Sequence, residues 1–206
     1  MPRLILGTRN KKKIKEITPL LADLAIELID VGQLHDVPEI AEEGRTFLAN
    51  ASAKAQGVAR AANCWTLAED SGLVVPALHG EPGVDSALYA GTHGDDAANN
   101  AKLLVKIATI PEANRSAYYV CVAVLCNPEG EIKAVTEGRC HGRIVSHAEG
   151  NSGFGYDPLF LIPEYHRTFG ELAPIVKAAL SHRAKAITNL RPAIVEFVLR
   201  QANASD

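Results

Sequence analysis

The apolar positions at the amino-terminal end predict a strand, a helix and a second strand. Residues 3–8 form a short apolar run typical of a buried strand, and residues 26–31 form another. Between them, after Asn10, apolar residues recur at helical spacing: Ile14, Ile17, Leu21 and Leu24. Pro19 lies within this pattern and lacks a backbone N–H group, so we expect the helix to kink or end early there.

Three later ranges predict helices that begin at a capping side chain: residues 46–62, residues 95–108 and a range from residue 181 onwards. Thr46, Asp95 and Ser181 each supply an oxygen that can accept hydrogen bonds from the first free N–H groups of a helix. The apolar face of the last helix consists of Ile187, Leu190, Ile194 and Phe197. Pro192 lies within this last pattern and is expected to bend the helix.

The other apolar segments predict strands. Residues 65–68 read as a strand that ends in a tight turn of Glu69, Asp70, Ser71 and Gly72. The remaining predicted strands are 118–126 and 131–136, which form a hairpin, and 159–162. A hairpin combined with strand–helix units predicts an α/β fold with a mixed sheet.

Composition narrows the class of protein. The chain has 206 residues and is 47% hydrophobic, which predicts a single folded domain over residues 1–206 and excludes a disordered chain. It carries 21 Lys and Arg against 24 Asp and Glu, whereas a general nucleic-acid coat protein would be basic. The longest apolar run, residues 120–126, is far shorter than the ~20 residues of a membrane span. Four cysteines without a C-x-x-C pair agree with reduced thiols in the cytoplasm. With the charge balance and the short apolar runs, they predict a cytoplasmic protein without a nucleic-acid or membrane partner.

A basic segment joins the first strand to the first helix. It consists of Thr8, Arg9, Asn10, Lys11, Lys12 and Lys13. A helix start offers unpaired N–H groups and the positive end of the helix dipole, which suits phosphate, and the lysines add positive charge. A solvated basic helix start explains the same residues, and the segment is not a Walker A loop.

Two acidic segments are candidate metal ligands. Glu69 and Asp70 stand at the predicted strand end, and Glu42 and Glu43 precede Gly44 upstream. Carboxylates on turns bind Mg²⁺ when phosphates complete its coordination. Asp-Ser-Gly is also an ordinary turn sequence, so this motif alone leaves both interpretations open.

A glycine–aromatic loop and a basic helix start complete the candidate chemistry. The loop consists of Gly153, Phe154, Gly155, Tyr156, Asp157 and Pro158. Its two aromatic side chains can stack on a base or fill a hydrophobic core. Lys177, His182 and Arg183 are candidate donors to an anion or a carbonyl, and a solvated helix start is their alternative.

Together, these segments resemble the inosine/xanthosine triphosphate pyrophosphatase family, the dITP/XTP or Ham1-like proteins. The resemblance runs almost from end to end of the chain. Its motifs are Thr8-x-Asn10-x-x-Lys13-x-x-Glu16, Gly44-x-Thr46-Phe47, Asn50-Ala51-x-x-Lys54-Ala55, Asp70-Ser71-Gly72-Leu73, Pro82-Gly83-x-x-Ser86-Ala87, Gly153 to Pro158, and Lys177 with Ser181-His182-Arg183.

The resemblance implies an elongated mixed β-sheet flanked by helices, two lobes with a substrate cleft between them, and a homodimer. It implies Mg²⁺-dependent conversion of non-standard purine triphosphates (ITP, dITP, XTP) to the monophosphate and pyrophosphate. Glu42 and Asp70 are then the metal ligands, with Glu43 competing for the role of Glu42, and Asp70 also orients or deprotonates the attacking water.

The resemblance also implies the residues that bind the substrate. Thr8, Asn10, Lys13 and Lys54 hold phosphate oxygens with help from Ser71, and Arg9, Lys11 and Lys12 belong to the same segment. Phe154 stacks on the purine within the loop that includes Gly155 and Tyr156, and the base edge meets Asp157, Lys177, His182 and Arg183. Three positions depart from the family pattern, which commonly has Gly at Arg9, an acidic residue at Ala49 and Asp at Glu69.

Other functions remain open at this stage. A nucleotide- or RNA-binding module without catalysis would not need Asp70 and Glu42 as metal ligands. A structural or metabolite-binding α/β protein would use the loop aromatics as core. A Maf-type pyrophosphatase would open with a Ser-x-Ser-Pro-Arg type of loop, which Thr8-Arg9-Asn10 does not resemble.

Overall fold

A mixed seven-stranded sheet forms the centre of the protein. The computed structural model describes residues 1–199. The strands are β1 Arg3–Leu6, β2 Glu27–Asp30, β3 Thr66–Val74, β4 Ser116–Cys126, β5 Ile132–Ile144, β6 Phe160–Ile162 and β7 Arg167–Thr168. Their order is β2-β1-β3-β4-β5-β6-β7, with β1 parallel to β2 and β3, and β6 antiparallel to β5 and β7. The predicted α/β class with a mixed sheet is confirmed.

Three of the five described helices begin at the capping side chains that the sequence offers. They are α1 Lys11–Leu21, α2 Phe47–Ala62, α3 Asp96–Ile107, α4 Pro174–Leu180 and α5 His182–Ala193. The side chains of Asn10, Thr46 and Asp95 accept hydrogen bonds from free N–H groups at the starts of α1, α2 and α3. α1 contains Pro19 and ends at Leu21, one turn before the predicted Leu24. After Pro192, the chain continues as a π-helical turn, Ile194–Leu199.

The predicted turn at Glu69–Gly72 is wrong, because β3 runs through these residues without interruption. Consecutive acidic residues disfavour a buried strand only while their charges lack partners. Here lysine and arginine side chains from distant parts of the chain neutralise them, as described below. The sequence also gave no prediction for α4 or β7, and β5 extends eight residues beyond the predicted end at Thr136.

The described chain divides into two compact units. Unit 1 comprises Met1–Asp70, Cys121–Gly138 and the described residues from Arg183, and unit 2 comprises Ser71–Val120 and Arg139–His182. The core of unit 1 includes Leu4, Leu6, Ile17, Leu67, Ile187 and Leu190. The core of unit 2 includes Leu73, Leu103, Tyr119, Phe160 and Phe169. Within residues 1–199, the helices are too short or too polar to span a membrane.

Candidate active site

In unit 1, a lysine of α2 holds two carboxylates. Lys54 Nζ donates to Glu42 Oε2 at 2.8 Å and lies 3.3 Å from Asp70 Oδ1. One helical turn before Lys54, Asn50 donates from Nδ2 to Asp70 Oδ2 at 3.1 Å and accepts the N–H of Gly44 at 2.8 Å. Because residues four apart share a helix face, α2 directs both side chains to Asp70 and to the segment that carries Glu42.

The pKa values of this group reflect burial and mutual charge. Burial raises the pKa of the Asp70 carboxyl above its usual value, and the neighbouring Glu69 and Glu42 charges act in the same direction, against Lys54 and Lys13. Burial alone would lower the pKa of Lys54, but the carboxylates of Asp70, Glu69 and Glu42 raise it. Partial burial opposes ionisation of Glu42, but the Lys54 ammonium lowers the pKa of that carboxyl. Lys54 is therefore a firmly charged cation beside Asp70.

Glu69 lies beside Asp70 on β3, but its side chain faces the other side of the sheet. It is fully buried, with Lys13 Nζ at 2.9 Å and Arg183 Nε at 3.4 Å from Oε1. Cys121 Sγ donates to its Oε2 at 3.4 Å, and Arg183 also pairs with Glu16. Burial would raise the pKa of Glu69, but the cations, led by Lys13 and Arg183, hold it well below its usual value.

The basic segment before α1 has a defined local structure. Thr8 Oγ1 accepts the N–H of Asn10 at 3.2 Å, and Asn10 Oδ1 in turn caps α1. Arg9 donates from Nη2 to the carbonyl of Val37 at 2.7 Å. Lys11 and Lys12 are exposed. Lys13 has an ion pair to Glu69, so the segment combines a paired cation with exposed lysine side chains at a helix start.

In unit 2, the glycine–aromatic loop contacts α4. Asp157 Oδ2 accepts the N–H of Phe154 at 2.7 Å and a hydrogen bond from Lys177 Nζ at 2.5 Å. Lys177 Nζ also lies 4.8 Å from the centre of the Phe154 ring. Gly153 and Gly155 have φ values of 78° and 62°, and a Cβ on Gly153 would clash with the carboxylate of Asp157.

The two aromatic side chains of this loop differ. Tyr156 is 3% exposed, packs in the core of unit 2 and donates from its hydroxyl to the carbonyl of Ser86 at 2.8 Å. Burial raises its pKa, so the hydroxyl stays protonated. Phe154 is half-buried. Of the two alternatives for these rings, Tyr156 therefore fills the core, whereas Phe154 keeps an accessible surface.

The residues predicted for the base edge divide between the units. Lys177 and Asp157 lie with Phe154 in unit 2. In the same unit, His182 stacks on Tyr119, with ring centres 4.7 Å apart and planes 10° apart. Arg183 belongs to unit 1, where its guanidinium is buried beside Glu69 and Glu16. Its role at the base edge stays a prediction.

The predicted phosphate and metal residues of unit 1 come together in part. The structure brings Glu42 and Asp70 to Lys54, and it brings Lys13 to Glu69. Glu43 is exposed, and Ser71, half-buried, follows Asp70 as the first residue of unit 2. Of the two upstream glutamates, Glu42 is thus the one that shares a cation with Asp70.

Sequence reasoning gave no role to Asn50, and it treated Glu69 only as a candidate metal ligand beside Asp70. Asn50 is 4% exposed, although it lies in an Ala-rich helix, and its amide joins Gly44 to Asp70. A polar residue on the apolar face of α2 was the available signal, because a buried amide needs partners. Glu69 serves as the shared counter-ion of Lys13 and Arg183.

The protein is an α/β protein with a mixed sheet, and its paired carboxylates, lysines and basic helix start are groups that suit a phosphate-bearing ligand. Comparison with known proteins makes this class specific. The chain belongs to the Ham1 family, whose model matches residues 4–193. The predicted resemblance is confirmed.

Named relatives and solved structures agree with this membership. A dITP/XTP pyrophosphatase of Rhodopirellula baltica is 47% identical over 202 residues, which cover 98% of this chain and 96% of the relative. One of Desulforamulus reducens is 44% identical over 185 residues, or 90% and 92% of the two chains. The structure of a HAM1 protein from Coxiella burnetii matches with a TM-score of 0.87 and 37% identity, covering 95% of this chain and all of that one. A nucleoside-triphosphatase / dITP/XTP pyrophosphatase from Mycobacterium abscessus matches with a TM-score of 0.76 and 40% identity over 92% and 99%.

Proposed function

We propose that the protein hydrolyses non-standard purine nucleoside triphosphates, namely ITP, dITP and XTP, to the monophosphate and pyrophosphate. The cellular result is removal of deaminated purines from the nucleotide pool. The observation that carries the proposal is the placement of Glu42 and Asp70 on one lysine, Lys54, in a chain of the Ham1 family. A lysine flanked by two carboxylates suits a triphosphate, because the negative charge of the phosphates needs cations to neutralise it.

Asp70 is the proposed catalytic residue. Its raised pKa makes the carboxylate a better proton acceptor, and Asn50 fixes its orientation. Asp70 orients a water molecule and takes its proton as the oxygen bonds to the α-phosphorus. The bond from the α-phosphorus to the bridging oxygen breaks, and its electron pair leaves on pyrophosphate. The proton then passes from Asp70 to solvent.

The lysines neutralise the substrate and the leaving group. Lys54 has its charge secured by its carboxylate partners, and it would share that charge with phosphate oxygens. Lys13, in the first turn of α1 at the positive end of the helix dipole, supplies a second positive site. Charge grows on the departing pyrophosphate, so these cations stabilise the transition state more than the ground state.

The donor set also fits Mg²⁺. Glu42 and Asp70 offer carboxylate oxygens, which are the ligands that Mg²⁺ takes in proteins when substrate phosphates complete its shell. Their shared ion pairs with Lys54 support this proposal, because a cation already lies beside both carboxylates. When bound, Mg²⁺ supplies Lewis-acid stabilisation of phosphate charge.

Unit 2 is the proposed binding site for the base. Phe154 offers a ring face for stacking, and Lys177 and Asp157 supply a hydrogen-bond donor and acceptor beside it. His182, which belongs to the same unit, completes the proposed base-edge set, whereas Arg183, which the family resemblance also assigns to this edge, belongs to unit 1. The family resemblance further supports a homodimer in the cytoplasm. Light scattering at several protein concentrations measures the oligomeric state.

The test is a pyrophosphate-release screen over ITP, dITP, XTP and the four common ribonucleoside triphosphates, with and without Mg²⁺. We expect release of pyrophosphate, not phosphate, from the three non-standard substrates, and dependence on Mg²⁺. Nucleotide binding by calorimetry without turnover would instead favour a binding module, and the absence of any binding would favour a structural protein.

A further inference from the structure

Both backbone groups of Gly155 are bound by side chains of α3. Asp96 Oδ2 accepts the N–H of Gly155 at 3.0 Å, and Asn100 Nδ2 donates to the carbonyl of Gly155 at 2.9 Å. Asp96 and Asn100 are four residues apart, on one face of α3. All three residues belong to unit 2. One helix face therefore binds both peptide groups that flank Gly155 in the glycine–aromatic loop.

These two hydrogen bonds act at a glycine, the residue type with the greatest backbone freedom. Gly155 has a φ of 62° and no atom within 4 Å of the position a Cβ would take, so packing does not fix its conformation. A glycine without such restraint visits many backbone conformations. On one side of Gly155 stands Phe154, whose N–H is bound by Asp157. The two α3 side chains supply the restraint that the glycine itself lacks.

The amide of Asn100 maintains this contact at a cost. Its Oδ1 is buried and makes no hydrogen bond within residues 1–199. A buried acceptor without a donor is unfavourable, and such groups in native proteins call for an explanation. Turning the amide over would place Oδ1 against the carbonyl oxygen of Gly155, so the observed orientation is set by the need to donate to that carbonyl.

We propose that Asp96 and Asn100 are positioning residues for the base-binding loop, holding Gly155 so that Phe154 and Asp157 stand ready for a purine. The role rests on the proposed function, because it concerns how the base of the substrate is held. A loop ordered before binding spares the substrate the entropic cost of ordering it. Loss of the hold should therefore appear in KM, with kcat little changed.

Two nearly isosteric substitutions test the donor and acceptor roles in the hydrogen bonds to Gly155. Asn100→Asp replaces the donor by a carboxylate facing the Gly155 carbonyl, and we expect KM for ITP to rise about ten-fold with kcat within about two-fold of the parent. Asp96→Asn keeps an oxygen acceptor for the Gly155 N–H, and we expect KM within about three-fold. A KM for Asn100→Asp equal to that of the parent would overturn the positioning role.

A double-mutant cycle shows whether Asn100 acts through Phe154. In a Phe154→Ala background, we expect Asn100→Asp to raise KM by less than about five-fold, because the ring, one of the two groups that it positions, is gone. A full ten-fold effect in that background would overturn the proposal. If Asn100→Asp does not fold, Asn100→Ala removes the donor without adding charge, with an expected rise in KM of about five-fold.

Hydrogen exchange supplies a readout independent of turnover. The peptide covering residues 150–158 should exchange faster in Asn100→Asp than in the parent, and unchanged exchange would overturn the proposal. Asn127→Ala is the matched control, because Asn127 also bonds a turn with its amide, at Glu131 in the β4–β5 connection. It should alter neither KM nor exchange in residues 150–158.

A parent that releases no pyrophosphate would overturn the proposed function, whereas an active parent with an unaffected Asn100→Asp variant would overturn the positioning role alone.

Discussion

The ammonium of Lys54 lies 3.3 Å from Oδ1 of Asp70, and both residues are buried. Burial alone disfavours the charged form of either group, so each charge depends on the opposite charge beside it. The pKa of each is raised, so Lys54 stays positive over the whole physiological range while Asp70 holds a proton more readily than an exposed carboxylate. The pair therefore joins a permanent cation to a strengthened base.

Neutralising Asp70 should remove activity without removing the fold. Asp70→Asn conserves volume but loses the proton acceptor, and a positioned base contributes ~10²–10⁴-fold, so we expect kcat to fall by at least this much. Burial disfavours the lost charge, so the free energy of unfolding should change by no more than about 1 kcal/mol. Steady-state pyrophosphate release and urea denaturation measure the two effects.

Asp30→Asn is the control, because the Asp30 carboxylate only caps a turn after β2, and this variant should retain activity. Turnover of Asp70→Asn within a few-fold of the parent would sink the assignment.

Lys13 should contribute to both kinetics and stability. Lys13→Ala is expected to raise KM and lower kcat, because its charge stabilises the triphosphate and the departing pyrophosphate. It also removes one of two cations from the buried Glu69, which should cost about 1–3 kcal/mol of unfolding free energy. Lys15→Ala, an exposed lysine on the same helix, should change neither quantity. Equal behaviour of the two variants would leave Lys13 as an ordinary surface residue.

The stability of the protein should depend on the ionisation of Glu69 at acidic pH. Its pKa in the folded state is well below the ordinary value of 4.5, so its contribution is present above about pH 4.5 and is lost as the pH falls further. At pH 7, Glu69→Gln leaves Lys13 and Arg183 without their shared carboxylate, and we expect a loss of about 3 kcal/mol. The difference between variant and parent should shrink steadily from pH 4.5 to pH 3 in urea denaturation curves. A difference independent of pH would show that packing, not charge, is responsible.

Arg183 is expected to act on the stability of the protein and not on the choice of base. The family resemblance assigns Arg183 to the base edge, where Arg183→Ala would narrow the ratio of kcat/KM for ITP over ATP. Its side chain is only 2% exposed and pairs with Glu16 and Glu69, so we expect instead an equal loss for both substrates and about 3–5 kcal/mol of lost stability.

Phe154→Ala is the companion variant. It should lower kcat/KM for both ITP and ATP and leave their ratio unchanged, since stacking does not read the base edge. Lys177→Ala, next to Phe154, is then the variant expected to narrow the ratio. Arg183→Ala with a narrowed ratio and normal stability would restore Arg183 to the base edge.

Local signals predicted the helices well, and long-range charge pairing explains what they missed. Thr46 and Asp95 cap α2 and α3 as their chemistry predicts, because capping depends on residues three positions away. The turn predicted at Glu69 failed because the strand depends on Arg183, 114 residues further along the chain. Sequence spacing alone cannot show that pairing. The family motifs located Glu42, Lys54 and Asp70, but only the structure showed that Lys54 joins them.

The two glycines of the glycine–aromatic loop should differ in the substitutions that they tolerate. Any side chain at Gly153 meets the carboxylate of Asp157, so a library of random substitutions should return almost no active clones altered there. Gly155 has open space around it and a φ of 62°, a left-handed value that Asn and Asp adopt more readily than other residues. Position 155 should thus tolerate only Gly, Asn and Asp, whereas position 153 should tolerate only Gly.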